Sequence, residues 1–287
     1  MKSVVISILP AAIIAIFSCT NEDGEQTSIP INFSAGVSIF ASTKAPVNNI
    51  DDLEPIQILR SDGTADYTSL SAPTLTGTIN SSGAVTPSEL QFYAHDGTSV
   101  NFMAFYPQAS SIGSGIANFI ITGQEDIMVA PSVYGGWIGS KITVNFAFTH
   151  KLAQIQFLVK AENSQASSSW GTLTYIKINT PTSLDLTLIT AAFDTNSNAQ
   201  WADLPTSIGG NASQTLTTTA TTAGNLMLYT VPYPLTLKVK TSNIEEHEVI
   251  IGLYYLQPGN QYTITLTFKG SGTGIPITAS LTGWSPG

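Results

Sequence analysis

Three histidines, one cysteine, two short acidic runs and four tryptophans are the residues on which chemistry could rest in this chain of 287 residues. His95, His150 and His247 stand far apart, with no HxH or HExxH spacing, so no zinc-type ligand set forms along the sequence. Each reads as a turn or sheet-edge residue. His150, between two alternating runs, reads as an imidazole capping local backbone groups. Asp51-Asp52-Leu53-Glu54 and Glu245-Glu246-His247-Glu248 offer carboxylates but lack the Asp-x-Asp-x-Asp-Gly spacing that wraps Ca²⁺, and read as solvated acidic loops. No GxSxG elbow, P-loop or GxGxxG turn occurs. Trp137, Trp170, Trp201, Tyr134 and Tyr233 fall in or near expected loops, where they could stack on a sugar ring. Most aromatic side chains of a β-protein serve packing instead. No catalytic residue, metal site or cofactor site emerges, and the chain reads as a non-enzyme.

The cysteine has a chemistry of its own. Cys19 follows a start with one base (Lys2) and an apolar run, residues 4–17, broken by Pro10 and closed by Ser18. That run, about 14 residues, is too short to span a bilayer as a helix and has the form of a signal peptide. Phe17-Ser18-Cys19 makes a loose lipobox, with Ile16 three residues ahead of the cysteine. A solitary thiol there suits thioether lipidation, so residues 1–18 are expected to be a lipoprotein signal peptide. An ordinary secretory signal that contains a cysteine is the other reading. Residues 19–28 form an acidic tether (Glu22, Asp23, Glu25) with no base, too polar to fold and suited to surface display.

Composition narrows the partners. The formal charge of −9 would become −10 on loss of Lys2, and the isoelectric point is near 4.6. So acidic a chain is unsuited to nucleic acid or to electrostatic docking on anionic lipid. With one cysteine there is no disulfide within the chain, and stability must come from apolar burial and sheet hydrogen bonds. A charged fraction of 10% amid abundant Thr, Ser, Gly and Asn suits an extracellular β-protein.

The elements that must position these residues are strands. Tyr262, Ile264, Leu266 and Phe268 alternate with threonines, Val144, Phe146 and Phe148 with Asn145 and Ala147, and Ile155, Phe157 and Val159 continue after Lys151. Leu184, Leu186 and Leu188, with Ile176 and Ile178, show the same period. Further strands are expected at 31–40, 56–60, 100–106, 226–231, 235–239 and 248–253. Asp62-Gly63, Asp96-Gly97 and Pro258-Gly259 mark turns. Residues 61–89 and 196–222 look loop-like, and no amphipathic helix of useful length follows the signal. The polar stretch 162–169 is the expected boundary between an N-terminal β-sandwich, residues 29–163, and a C-terminal one, residues 164–287.

In order along the chain, five stretches resemble the fimbrillin family, the Mfa-like and FimA-like subunits of type V pili. They are the lipoprotein start with its tether; Ile31-Asn32-Phe33-Ser34-Ala35-Gly36 with Thr43-Lys44-Ala45; and Val100-Asn101-Phe102-Met103-Ala104-Phe105-Tyr106-Pro107. Next come Gln124-Glu125-Asp126-Ile127-Met128-Val129-Ala130 with Val144 to Ala153, and finally Leu256-Gln257-Pro258-Gly259-Asn260-Gln261-Tyr262 with the closing Trp284. Lys44 stands where the family usually has arginine. The resemblance implies two transthyretin-like antiparallel β-sandwich domains and a structural role in a fimbria on the outer membrane. It also implies proteolytic removal of the first strand and its replacement by a strand from a neighbouring subunit.

The removable strand would carry Ile31, Phe33 and Val37. Cleavage would follow Lys44 or Arg60, the only arginine. Ile275, Ile277 and Leu281 would line a donor strand, or a terminal strand serving its own domain. The implied partners are other pilus subunits, the outer membrane through Cys19 before processing, and a host or bacterial surface ligand. A lipid-anchored surface glycan-binding protein is the alternative, and it would keep its first strand and align its loop tryptophans on one face.

Overall fold

The computed structural model describes residues 28–37, 53, 55–70, 75–193, 199–203, 213–229, 234–252, 256–270 and 277–283. Strands dominate it, as the alternating sequence requires. They run β1 (Phe33–Val37), β2 (Ile56–Asp62), β3 (Leu75–Ile79), β4 (Ala84–Pro87), β5 (Val100–Tyr106), β6 (Ser111–Gly113), β7 (Ile116–Ile120), β8 (Met128–Trp137), β9 (Ser140–Lys141), β10 (Val144–His150) and β11 (Ala153–Ala161). A short helix, α1 (Ser164–Trp170), comes before β12 (Thr172–Pro181), β13 (Ser183–Thr187), β14 (Ala192–Phe193) and β15 (Ala199–Asp203). β16 (Gln214–Thr215), β17 (Thr221–Leu228), β18 (Leu235–Thr241), β19 (His247–Ile251), β20 (Gln261–Phe268) and β21 (Ile277–Gly283) complete the chain.

The first half forms one sheet in the order β10-β1-β4-β3-β2-β5-β8-β9, and β8 also pairs with β10 through Val129↔Thr149 and Met128↔His150. The path therefore closes on itself. Alternate side chains point inward and make a core of Ile31, Phe33, Ile58, Phe102, Val144 and Phe146, among others. In the second half, β17-β11-β20-β21 and β15-β12-β18-β19 share a core to which Phe157, Leu266, Ile178 and Leu237 contribute. A fourth sheet, β14-β13-β7-β6, joins strands from both halves. Its inner residues Phe119, Leu184 and Leu186 pack with Leu59, Met103 and Phe105 from β2 and β5. β5 is thus buried on both faces, which explains the nearly unbroken apolar run 100–106.

Several expectations change. Residues 61–89 and 196–222 were expected to be loops, yet the first stretch holds β3 and β4 and the second holds β15, β16 and the start of β17. In β3 the alternation is Leu75, Gly77 and Ile79 inward and Thr76 and Thr78 outward, a strand pattern partly hidden by its glycine. The polar stretch 162–169 contains most of α1. The Asn163 side chain caps it by accepting from the Ala166 amide at 2.9 Å, and Gly171, at φ 77°, ends it. Strand partners change earlier than that stretch, between β10 and β11, because among the described residues β11 pairs with β17 and β20 alone. Its pairing with β20 is parallel, as is that of β1 with β10, so the sheets are mixed and not purely antiparallel as expected.

The aromatic residues also move. Trp170 belongs to the second-half core, edge-on to Phe268 at 5.0 Å, and its indole N–H donates to the Lys269 carbonyl at 2.9 Å. Tyr134 and Trp137 sit on β8 and not on a loop, while Trp201 sits on β15. His150 ends β10, an interior strand of its sheet, and is buried against a carboxylate instead of capping backbone. His95 lies in a turn and His247 opens β19.

Candidate functional site

The segment that the sequence marks as a removable first strand lies between two others. Its lead, residues 29–31, is gripped by residues 91–93: the Ile31 amide donates to the Gln91 carbonyl at 2.8 Å, and the Tyr93 amide to the Ile29 carbonyl at 3.1 Å. β1 itself then runs parallel to β10 in an unbroken register from Phe33↔Val144 to Val37↔Phe148. On its other side it meets β4 antiparallel through Phe33↔Val85 and Ser34↔Ala84. Just past that pairing, the Ala35 amide donates to the Gly83 carbonyl at 2.7 Å. Gly83 holds φ +80°, and a Cβ there would lie 2.5 Å from the Ala35 carbonyl oxygen. Only glycine lets the 80–83 turn approach β1 so closely.

Period-two alternation buries one face of this segment. Ile31 and Phe33 are buried, and Ile29, Ala35 and Val37 pack partly buried on the same core. Phe33 lies edge-on to Phe102 (4.9 Å between centroids) and stacked on Phe146 (6.0 Å). Taking β1 away would therefore leave two unpaired strand edges, on β10 and β4, above a floor made of Phe102, Phe146, Val85 and Val144. Unpaired backbone beside exposed aromatic surface is the physical template for adding an extended strand.

The candidate C-terminal strand is β21. It pairs antiparallel with β20 along its whole length, from Phe268↔Ile277 to Tyr262↔Gly283, and forms the edge of its sheet. Ile277 is buried in the second-half core, and Leu281 pairs with Ile264. Ile275 lies outside the described residues.

Of the expected cleavage positions, Lys44 also lies outside the described residues, as do Cys19, the tether up to residue 27, Asp51, Asp52, Glu54, Tyr233 and Trp284. Arg60 lies within β2, opposite Phe102 of β5. Its guanidinium donates to Asp62 (Nε to Oδ1, 2.7 Å), to the Gln91 side chain at 3.1 Å and to the Phe92 carbonyl at 3.0 Å. A bond inside a paired strand is a poor protease substrate, since cleavage favours exposed loop tips.

Two features were not foreseen from the sequence. Residues 91–93 grip the first strand although they carry no strand pattern. Asp126 and His150, which belong to two separate motif stretches, meet as a buried pair with the imidazole Nδ1 3.0 Å from the carboxylate oxygens. Gly259, at φ +78°, packs over that imidazole, and its amide donates to the Leu152 carbonyl at 2.8 Å. This buried pair ties the end of β10 to the segment before β8, and the occurrence of Asp126 and His150 in motifs was the available signal. Among the described residues no group of three His, Cys, Asp or Glu side chains could hold a metal ion. Glu246 accepts from the Tyr175 hydroxyl at 2.6 Å and pairs with Lys238 at 3.2 Å, and Glu245 pairs with Lys240 at 3.1 Å, as expected of a solvated acidic run.

Fold and seat together define an all-β protein whose first strand is an insert between two others. Comparison with known proteins agrees with the motif reading. Residues 43–284 match the fimbrillin-like family, and the chain belongs to that family. It is 23% identical over 280 residues to a Bacteroides uniformis protein named as a candidate fimbrium subunit, Fim1C, covering 93% of this chain and 90% of that one. Among solved structures, a candidate cell adhesion protein from Bacteroides uniformis superimposes with a TM-score of 0.57 at 16% identity, covering 92% of this chain and 100% of the other. One from Bacteroides ovatus gives 0.55 at 15% identity, covering 91% and 99%. These likenesses concern the fold.

Proposed function

We propose that this chain is a structural or tip subunit of a cell-surface fimbria, assembled with other subunits by strand exchange and serving adhesion. The seat of β1 carries the reading: a short strand between β4 and β10, covering a phenylalanine-lined core and followed by a basic residue, Lys44, ahead of β2. Membership of the fimbrillin-like family and likeness to a named fimbrium subunit support it. In this reading the chain is exported as a lipoprotein held at the outer membrane through Cys19, and a trypsin-like protease cuts after Lys44. The scissile bond precedes Ala45 and so is not blocked by proline. β1 then leaves with the lipid, and a neighbour's strand takes its place. The two halves act as transthyretin-like β-sandwich domains, the first receiving a strand and the second ending in β21. The role is structural and needs no cofactor.

A surface glycan-binding role is the second reading, favoured by the exposure of Tyr134 (49%) and Trp137 (41%) on β8. It requires β1 to be permanent.

The test is limiting trypsin on a chain starting at Thr20, followed by cut-site mapping and size measurement. A discrete cut after Lys44, an intact body and growing assemblies are expected. A body that stays uncut there, or that unfolds and remains monomeric once cut, would sink strand exchange and move glycan binding ahead.

A further inference from the structure

Arg60 does more than occupy β2, because its side chain reaches the first strand by two routes. Through the backbone route, its guanidinium donates to the Gln91 side chain and the Phe92 carbonyl, inside the segment whose Gln91 carbonyl and Tyr93 amide bond Ile31 and Ile29. Through the aromatic route, the guanidinium carbon lies 5.9 Å from the centre of the Phe102 ring, and that ring lies edge-on to Phe33 of β1. Asp62 splints the guanidinium from the solvent side, taking Nε at 2.7 Å and the second nitrogen at 3.4 Å. The group stands at the wall of an open cleft of about 660 Å³, shared with Ser61, Asp66, Ser69 and Glu89. Its side chain is 23% exposed; the bond to Gln91 is partly buried and those to Phe92 and Asp62 face solvent, and together they are the charge-assisted, multiple kind that arginine makes well.

We propose that Arg60, held by Asp62, is the positioning residue that sets how tightly the first strand is retained, and hence how readily it can be exchanged. The inference rests on the strand-exchange reading for its consequence but not for its geometry. Residues 91–93 have no regular strand of their own, since only an isolated bridge, Pro30↔Phe92, ties them to the lead of β1. The buried Tyr93 ring, whose hydroxyl bonds to Gly135 and Ile142, holds one end of that segment. Without Arg60 the Gln91 end loses its tie to β2, and the lead of β1 frays there first. A fraying lead is the place where an incoming strand gains its first hydrogen bonds, so the brace controls the entry step of exchange.

The test compares full-length protein with Arg60→Met, which keeps the aliphatic stem over Phe102, and with Asp62→Asn. Amide hydrogen exchange is read at Ile31 and Tyr93, with Ile155 and Phe157 of β11 as controls. Loss of charged hydrogen bonds is expected to speed exchange at Ile31 and Tyr93 by about tenfold in Arg60→Met and by less in Asp62→Asn, with the β11 amides unchanged. Unchanged protection at Ile31 and Tyr93 in Arg60→Met overturns the proposal. If Arg60→Met loses protection everywhere, Asp62→Asn decides: a local loss upholds the brace, and no loss overturns it. After a cut at Lys44, release of the first-strand fragment should be about tenfold faster in Arg60→Met. A wild-type protein that never releases or replaces the fragment, while the amides respond as expected, refutes strand exchange and leaves the brace standing.

Discussion

Asp126 and His150 are 24 residues apart in sequence and 3.0 Å apart in space, with side chains 1% and 2% exposed. A buried polar group left without its partner costs far more than the net value of the bond it made. Asp126→Ala is accordingly expected to lower stability by about 3 kcal/mol, read from urea unfolding. His150→Leu keeps bulk beneath Gly259 but takes the imidazole from the buried Asp126 carboxylate, and should cost at least as much; a much smaller loss would mean the pair is not what matters there. Glu125, in the preceding turn, offers a pH test. Partial burial pushes its carboxyl up, but the Thr122 hydroxyl and amide, each donating at 2.6 Å, outweigh this and hold it below the ordinary carboxylate value. A carboxyl with a lowered folded pKa stabilises fully above its unfolded value, near 4.5, and the support is lost as pH falls through the lower folded value. Protection of the Thr122 amide, taken relative to the intrinsic exchange rate at each pH, should therefore fall in that acid window and be steady above pH 5. A Thr122 amide indifferent to acid would show that the turn does not depend on this carboxylate.

At the scale of elements, the strands with clean alternation were legible: β10, β11, β13 and β20 lie where the sequence puts them. The turn glycines at 63, 97 and 259 adopt positive φ as expected. What failed did so for physical reasons. β3 and β4 are five and four residues long and put a glycine or an exposed alanine where a larger apolar residue would have marked a strand. Only Ala166 and Trp170 of α1 are buried, one helical turn apart, so a Ser-rich segment shows no periodicity. Period two states which face is buried and is silent on the partner, so the parallel pairing of β1 with β10 could not be read. The first strand was legible through Ile31, Phe33 and Val37; its brace was not, because Arg60 and residues 91–93 meet only in the fold. The close approach at Gly83 gives the element-scale prediction. Gly83→Ala places a methyl against the Ala35 carbonyl at a φ that alanine disfavours, and should cost about 1–2 kcal/mol. The loss should appear as faster exchange at the Ala35 amide, with β11 and β20 unaffected. Uniform loss across the protein would mean that the 80–83 turn supports the whole first sheet and not β1 alone.

Across the whole molecule, three apolar clusters divide the work. Among the described residues, β1 contributes to the first alone and the second-half core draws nothing from residues before Ala153, while the third binds the two halves through β2, β5, β7 and β13. Calorimetry of the Lys44-cut chain after loss of the first strand should show a lowered transition for the first half and a second-half transition within a few degrees of the uncut protein. Collapse of both together would mean that the third cluster couples the two halves.

The parallel seating of β1 also fixes how the molecule meets force. A strand lodged between β4 and β10 and pulled along its own axis loads the five aligned residue pairs with β10 together, in shear, so none can open ahead of the rest. β21, paired with β20 along its full length at a sheet edge, presents the same lengthwise geometry at the far end of the chain. Tension entering at β1 passes to β10, along the short link 151–152 to β11, and through the parallel β11–β20 pairing to β21, so the molecule resists a pull along these strands and yields to peeling from the side.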